Sequence, residues 1–136
     1  MAENIRIEVV TPEHEIVNED ARIVMAPGSL GEFGVLVGHT PFMTSLKTGV
    51  VCYDDAGGNE QFICVSGGFA EALPDKITIR AEAAEKCEDI DVQRATAAKE
   101  RAEKRLADKG NDAIDFARAR IALERAINRI NTAGSN

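Results

Sequence analysis

Asp91 and Arg94 stand three residues apart, and Arg125 and Arg129 stand four apart. On helices each pair falls on one face. Guanidinium forks match phosphate oxygens, and a carboxylate beside them can accept a hydrogen bond from a base or a ribose hydroxyl. Brought together, these four groups read in two ways. One is a salt-bridge cluster worth about 0–1 kcal/mol per exposed pair; the other is a polyphosphate site. Other chemistry-bearing residues are sparse. His14 and His39 are the only imidazoles, and Cys52, Cys64 and Cys87 form no C-x-x-C pair, so metal and redox chemistry find few ligands. Cys52 and Cys64 flank one turn, and a disulfide between them is geometrically conceivable, although an intracellular compartment would keep them reduced. The glycine-rich stretch from Pro27 to Pro41 lacks the Lys-Ser/Thr of a phosphate loop and is explained better by turn geometry. Ser66-Gly67-Gly68 lacks the spacing of a nucleophile elbow, and Asp54-Asp55 sits at a turn. No enzyme active site emerges.

The elements that must hold these residues differ along the chain. Up to about residue 88, short apolar segments are cut by Gly, Pro, Asn and Asp. Ile5, Ile7 and Val9 alternate with Arg6 and Glu8, a period of two. Further strand-like runs occupy 15–18, 21–26, 34–37, 42–46, 50–53, 61–66, 70–73 and 76–81, and Gly57-Gly58 marks a hairpin. Many short strands with close turn signals predict an antiparallel sandwich or barrel. From Glu88 onward no proline occurs and helix formers dominate. One helix is expected from an Asp89 or Asp91 cap to about Lys109, and a second from Asn111 or Asp112 to about Thr132. A short connection makes them antiparallel neighbours. Ala95, Ala98, Ala102 and Leu106 form one stripe, and Ala119, Ala122 or Leu123, Ala126 and Ile130 form the facing one. With the turn near residue 110, position 91 falls opposite about 130 and 94 opposite about 127, so Asp91, Arg94, Arg125 and Arg129 converge at the open end. Alanine buries little apolar area, so this seam closes with a small gain at ~25 cal/mol per Å². A weakly held helical pair is a candidate moving part.

Composition bounds the answer. The 136 residues, with 44% apolar and 29% charged, suit one domain with an appendage. No apolar run approaches the ~20 residues of a bilayer span, and the N-terminal text does not read as a signal peptide. Net charge is −7, a poor start for gripping nucleic acid. Charge is also divided: residues 1–88 carry 6 basic and 15 acidic side chains, whereas residues 89–136 carry 10 basic and 8 acidic. Within 116–136, Arg118, Arg120, Arg125 and Arg129 face only Glu124. The last helix is a basic rod, either a solvated face or a surface for acidic partners.

Taken in order, Val10-Thr11-Pro12, Pro27-Gly28, Gly31-Glu32-Phe33-Gly34-Val35-Leu36, Gly38-His39-Thr40-Pro41, Ser66-Gly67-Gly68-Phe69 and Ile90-Asp91-Val92-Gln93-Arg94-Ala95 carry a resemblance. Over essentially its whole length the chain resembles the epsilon subunit of the F-type rotary ATP synthase, bacterial type. The resemblance implies an α+β molecule in two parts: an all-antiparallel β-sandwich over 1–87 and an antiparallel helical hairpin over 88–136. It implies a non-catalytic place in the central stalk of a proton-translocating enzyme, bound to the gamma subunit and seated on the ring of c subunits. The hairpin would extend and inhibit ATP hydrolysis at the alpha/beta hexamer. The localisation implied is peripheral, on the cytoplasmic face of the bacterial inner membrane, and the N-terminus fits a bacterial or organelle-encoded chain.

Carried over residue by residue, the resemblance offers a regulatory ATP site of Glu85, Ile90, Asp91, Arg94, Ala95, Arg125 and Arg129, with no required cofactor and no metal. Gly31, Glu32, Gly38, His39 and Pro41 would meet the c-ring. Arg118, Arg120, Arg125 and Arg129 would meet acidic beta-subunit segments in the extended state. A free-standing nucleotide-sensing module is the alternative from another class, and a small hydrolase is a third; co-purification with a large ATPase assembly separates the first reading from both.

Overall fold

The computed structural model describes residues 4–134, so residues 1–3 and 135–136, at the outer ends of the two expected parts, lie outside the described residues. The chain divides after Lys86 into two compact units.

The described residues of the first unit form seven strands: β1 Ile5–Val10, β2 Glu15–Gly28, β3 Gly31–Val35, β4 Phe42–Ser45, β5 Gly49–Asp55, β6 Glu60–Ala72 and β7 Lys76–Lys86. Alternation sets the faces: Ile5, Ile7 and Val9 on β1 are wholly buried while Arg6 is exposed. They join Val24, Val51, Ile63, Val65, Ile77 and Ile79 in one core, where each fully buried branched side chain contributes about 1.5–3 kcal/mol. The sheet path runs β1-β7-β6-β5-β2-β3, and β1 also pairs with β2, so the path from β1 to β2 closes on itself.

Two expectations change here. The sheet is not wholly antiparallel, because β1 and β7 run parallel, with Ile7 opposite Ile77 and Val9 opposite Ile79. The reason is topological: β1 fills the gap between β2, to which it is antiparallel, and β7. Secondly, some expected short strands are halves of long ones. Segments 15–18 and 21–26 merge in β2, which is interrupted by a register shift between Ala21 and Ile23. Segments 61–66 and 70–73 merge in β6, whose first half pairs with β5 and second half with β4. Between the halves lie Gly67 (φ 70°) and Gly68 (φ 106°). A Cβ on Gly68 would fall on the Arg80 carbonyl and 2.8 Å from Ala81 Cα, so only glycine fits this partner switch.

The second unit opens with a short 3-10 helix, Cys87–Asp89, followed by α1 Val92–Ala107 and α2 Phe116–Ala133. Asp91 caps α1, and Asp115 caps α2. The second helix thus begins four or five residues later than Asn111 or Asp112 would place it. Those polar residues belong to the connection. Asn111 Nδ2 donates to Asp108 Oδ2 at 2.9 Å, Ala113 N donates to Asn111 Oδ1 at 3.0 Å, and Gly110 takes φ 89°. A side chain spent on a turn in this way competes with helix continuation. Ala95 and Ala102 on α1, and Ala119 and Ala126 on α2, are buried at the same seven-residue spacing, while Leu106 and Ile130 are only half-buried. The seam is therefore built from methyl groups.

Candidate functional site

Asp91 leaves extended backbone (φ −82°, ψ 98°) and enters α1 with its Oδ1 accepting from Arg94 N at 3.1 Å. This is an N-cap, and it fixes the direction of the first turn. The Ile90-Asp91-x-x-Arg94-Ala95 segment then divides by exposure. Ile90 and Ala95 are buried, and Asp91 and Arg94 are exposed. The apolar members anchor the turn, and the charged members face outward.

The far end of α2 returns to this place. The Cys87 thiol donates to the Thr132 carbonyl at 2.9 Å, which sets the last turn of α2 against the 3-10 helix that leads into the Asp91 cap. Arg129 lies three residues before Thr132 and is half-buried, so the hairpin brings it to the same end as Asp91 and Arg94. Arg125, four residues further back, lies elsewhere along the pair. With Arg105 of α1, the Asp115 cap, and Arg118 and Ile121 of α2, it lines a cavity of about 680 Å³. Arg105 was not among the expected site residues. Its only signal in the sequence is a place in the last turn of α1, facing a helix whose Arg118 and Arg125 are seven apart and so share a side. Arg120 is exposed on α2 and does not line that cavity. Glu85 is half-buried on β7, opposite Cys64 of β6, and belongs to the sandwich unit.

The sandwich carries a second set of candidates between β2 and β4. Gly31 (φ 139°) closes the β2–β3 turn opposite Gly28, and Glu32 is exposed opposite Pro27. A Cβ on Gly28 would stand 2.6 Å from the Gly31 carbonyl, so this glycine pair is a tight turn and not a phosphate cradle. Gly38 (φ 83°) donates through N to the Pro74 carbonyl at 2.6 Å. His39 Nδ1 donates to the Thr40 carbonyl at 2.6 Å, its ring lies 5.1 Å from Phe42, and Phe42 lies 5.1 Å from Phe33. Pro41 follows, exposed. The segment is less polar than its sequence suggests, because Leu30 is 100% exposed and Leu36 also faces solvent.

Cys52 lies opposite Phe62 and Cys64 opposite Val50, so the two thiols are diagonal neighbours, and none of the three cysteines is in a disulfide. Burial, then the charges of Glu60 and Asp54, push the Cys52 thiol from its ordinary 9.0 to about 11, which keeps it protonated and unreactive near neutral pH. At the β5–β6 turn, Asp55 accepts from Asn59 N at 2.9 Å, and that bond holds its carboxyl below the usual carboxylate range. Among the described residues, no group of three or more His, Cys, Asp or Glu side chains could hold a metal ion.

Comparison with known proteins covers both units. The family model described as "ATP synthase, Delta/Epsilon chain, beta-sandwich domain" matches residues 4–87, and that described as "ATP synthase, Delta/Epsilon chain, long alpha-helix domain" matches residues 88–134. The chain is 58% identical over 130 residues, 96% of each chain, to the ATP synthase epsilon chain of Desulforapulum autotrophicum. It is 66% identical over 106 residues, 78% of this chain and 80% of the relative, to that of Desulfosudis oleivorans. A chain in the cryo-EM structure of the Euglena gracilis mitochondrial ATP synthase (OSCP/F1/c-ring, rotational state 1) shares the fold. Its TM-score is 0.81 at 24% identity, over 100% of this chain and 84% of that one.

Proposed function

The chain belongs to the ATP synthase delta/epsilon chain family, and from that premise we propose that it is a non-catalytic subunit of the central stalk of the F-type enzyme. In this reading the sandwich binds the gamma subunit and the c-ring, and the hairpin regulates ATP hydrolysis. The observation that carries it is the apolar surface of the sandwich. Met43 on β4 and Phe69 on β6 are 67% and 57% exposed. Phe69 also lines a groove of about 580 Å³ with Val10, Leu46 and Ala81. Apolar side chains grouped on a small domain mark a protein contact, and the gamma subunit is the partner proposed for it. Gly31, Glu32, Gly38, His39 and Pro41 are proposed to meet the c-ring. Among the described residues no helix is long and apolar enough to cross a membrane; attachment to the cytoplasmic face of the bacterial membrane would then be peripheral, through those partners. Co-purification of the tagged chain with an ATP-hydrolysing assembly, and cross-linking from Glu32→Cys to the c-subunit loop, test this reading. A chain recovered alone from membranes that hold an intact enzyme would favour the free-standing nucleotide sensor.

The hairpin reading has two parts. Its seam of Ala95, Ala102, Ala119 and Ala126 buries little area, which suits a pair that opens. When closed, it places Asp91 and Arg94 at the end where Arg129 returns, and ATP is proposed to bind there. Its adenosine would sit near Ile90, Asp91 and Ala95 and its phosphates on Arg94 and Arg129, with Arg125 reaching from the neighbouring cavity. A ligand that binds the closed form alone stabilises it by RT ln(1 + [ATP]/Kd), about 2.7 kcal/mol at a hundredfold excess over Kd, enough to govern a closely balanced pair of states. At low ATP the hairpin would extend and present Arg118, Arg120, Arg125 and Arg129 to acidic segments of the beta subunits. ATP would thus act as a regulator and not as a cofactor.

A further inference from the structure

We propose that Cys87 and Thr132 form a clasp that keeps the hairpin closed, and that this contact must break before the helices extend; the inference rests on the regulatory reading of the hairpin above. Three observations support it. The bond joins residues 45 apart in sequence, with the thiol donating to the Thr132 carbonyl at 2.9 Å. Both partners are shielded: Cys87 is 6% exposed and Thr132 is 0% exposed. Thr132 is also a polar residue on a surface helix, and its hydroxyl is already committed, donating to the Asn128 carbonyl at 2.7 Å.

The carbonyls of the last turn of any helix lack intrahelical donors and need outside partners. At α2 one is supplied by the helix itself, where Gly134 N donates to the Ile130 carbonyl at 3.2 Å. The Thr132 carbonyl, which Gly134 N also reaches from within the helix, takes a second donor from across the hairpin in the Cys87 thiol, and burial leaves water little access to replace it. Cys87 has a second duty, because its own carbonyl accepts from Ile90 N at 3.3 Å and closes the 3-10 turn that leads into the Asp91 cap. One residue therefore shapes the entry to α1 and finishes α2. Contacts near the 108–115 connection could survive separation of the helix ends, but this one joins the ends themselves. Along a seam of alanines with little apolar area, a single shielded hydrogen bond is a sizeable fraction of what opposes opening. The clasp also makes opening readable, since the Cys87 thiol becomes available to a reagent only when α2 leaves it.

The test uses the isolated full-length chain without nucleotide. Hydrogen exchange of the α2 amides from residue 128 to 134 is compared in wild type, Cys87→Ala and Cys87→Ser. Loss of the donor should speed exchange about 2- to 10-fold, and serine, which retains a donor, should restore part of the protection. In parallel, N-ethylmaleimide labelling of Cys87 should accelerate by a similar factor or more when the chain is shortened to end at Asn131, and not when only residues 135–136 are removed. Alanine exchanging as slowly as wild type would overturn the clasp. Alanine and serine exchanging equally fast would also overturn it, because packing and not the hydrogen bond would then be responsible. Hydrolysis by the assembled enzyme separates this proposal from the one beneath it: faster opening in Cys87→Ala with unchanged hydrolysis would uphold the clasp and reject the inhibitory role.

Discussion

Asp91 has two tasks that substitution can separate. Its carboxylate caps α1 through Arg94 N, and it is also the acceptor proposed for the nucleotide. Asp91→Asn retains a good cap, whereas Asp91→Ala removes it at a cost of about 0.5–2 kcal/mol. We expect Asn to leave the helical signal of the hairpin intact and weaken ATP binding, and Ala to lower both, read by circular dichroism and calorimetry. Arg94→Ala, Arg125→Ala and Arg129→Ala should each weaken binding at millimolar ATP; wild type without heat, or Arg125→Ala binding equally well, would reduce the cluster to a salt-bridge clasp. Cys52 gives a pH prediction. Its folded thiol titrates near 11 against an ordinary 9.0, so the folded state holds the proton more tightly. The associated stability is intact below pH 9 and declines as pH rises toward 11. Denaturant melts at pH 8 and 10.5 should show a smaller loss in Cys52→Ser than in wild type. At this scale the sequence was informative about Asp91, Arg94 and Arg129, whose offsets follow helical geometry. It was not informative about Arg105, because which residue of α1 borders Arg118 and Arg125 depends on the length of the connection between the helices.

Strands and helices were legible in kind and less so in extent. The alternation at Ile5, Ile7 and Val9 follows from one buried face, and that face exists. Breaks between short apolar runs were less reliable, since a register shift near Ala21 and the kink at Gly67-Gly68 interrupt the pattern without ending the strand. The parallel β1–β7 pair left no local signal because it depends on which distant edges meet. In the hairpin, the polar run from Asp108 to Asp115 contains several possible caps, and only side-chain pairing decides among them. Two substitutions test these elements. Gly68→Ala should destabilise the sandwich by about 1–3 kcal/mol, because β6 cannot kink there with a Cβ facing Ala81, and thermal melting would measure it. Ala119→Leu should overpack the seam by about 1–3 kcal/mol, opening the hairpin while leaving the sandwich transition in place. A single transition shifted as a whole would contradict independent units.

Over the whole molecule, charge and core are divided in the same place. The acidic residues 1–88 contain the sandwich with its own core of branched side chains, and the weakly packed residues 89–136 carry the basic excess. A chain shortened after Glu88 should therefore fold, retain the apolar surface around Met43 and Phe69, and still join the enzyme. It should lose only regulation. The most direct test is ATP hydrolysis by the F-type enzyme assembled with either the full chain or the chain ending at Glu88, after incubation at low or high ATP. The full chain should hold hydrolysis down after low ATP and release it after high ATP, and the shortened chain should give a higher rate that no longer depends on the incubation. Equal rates for the two chains under both conditions, with assembly intact, would contradict a regulatory hairpin.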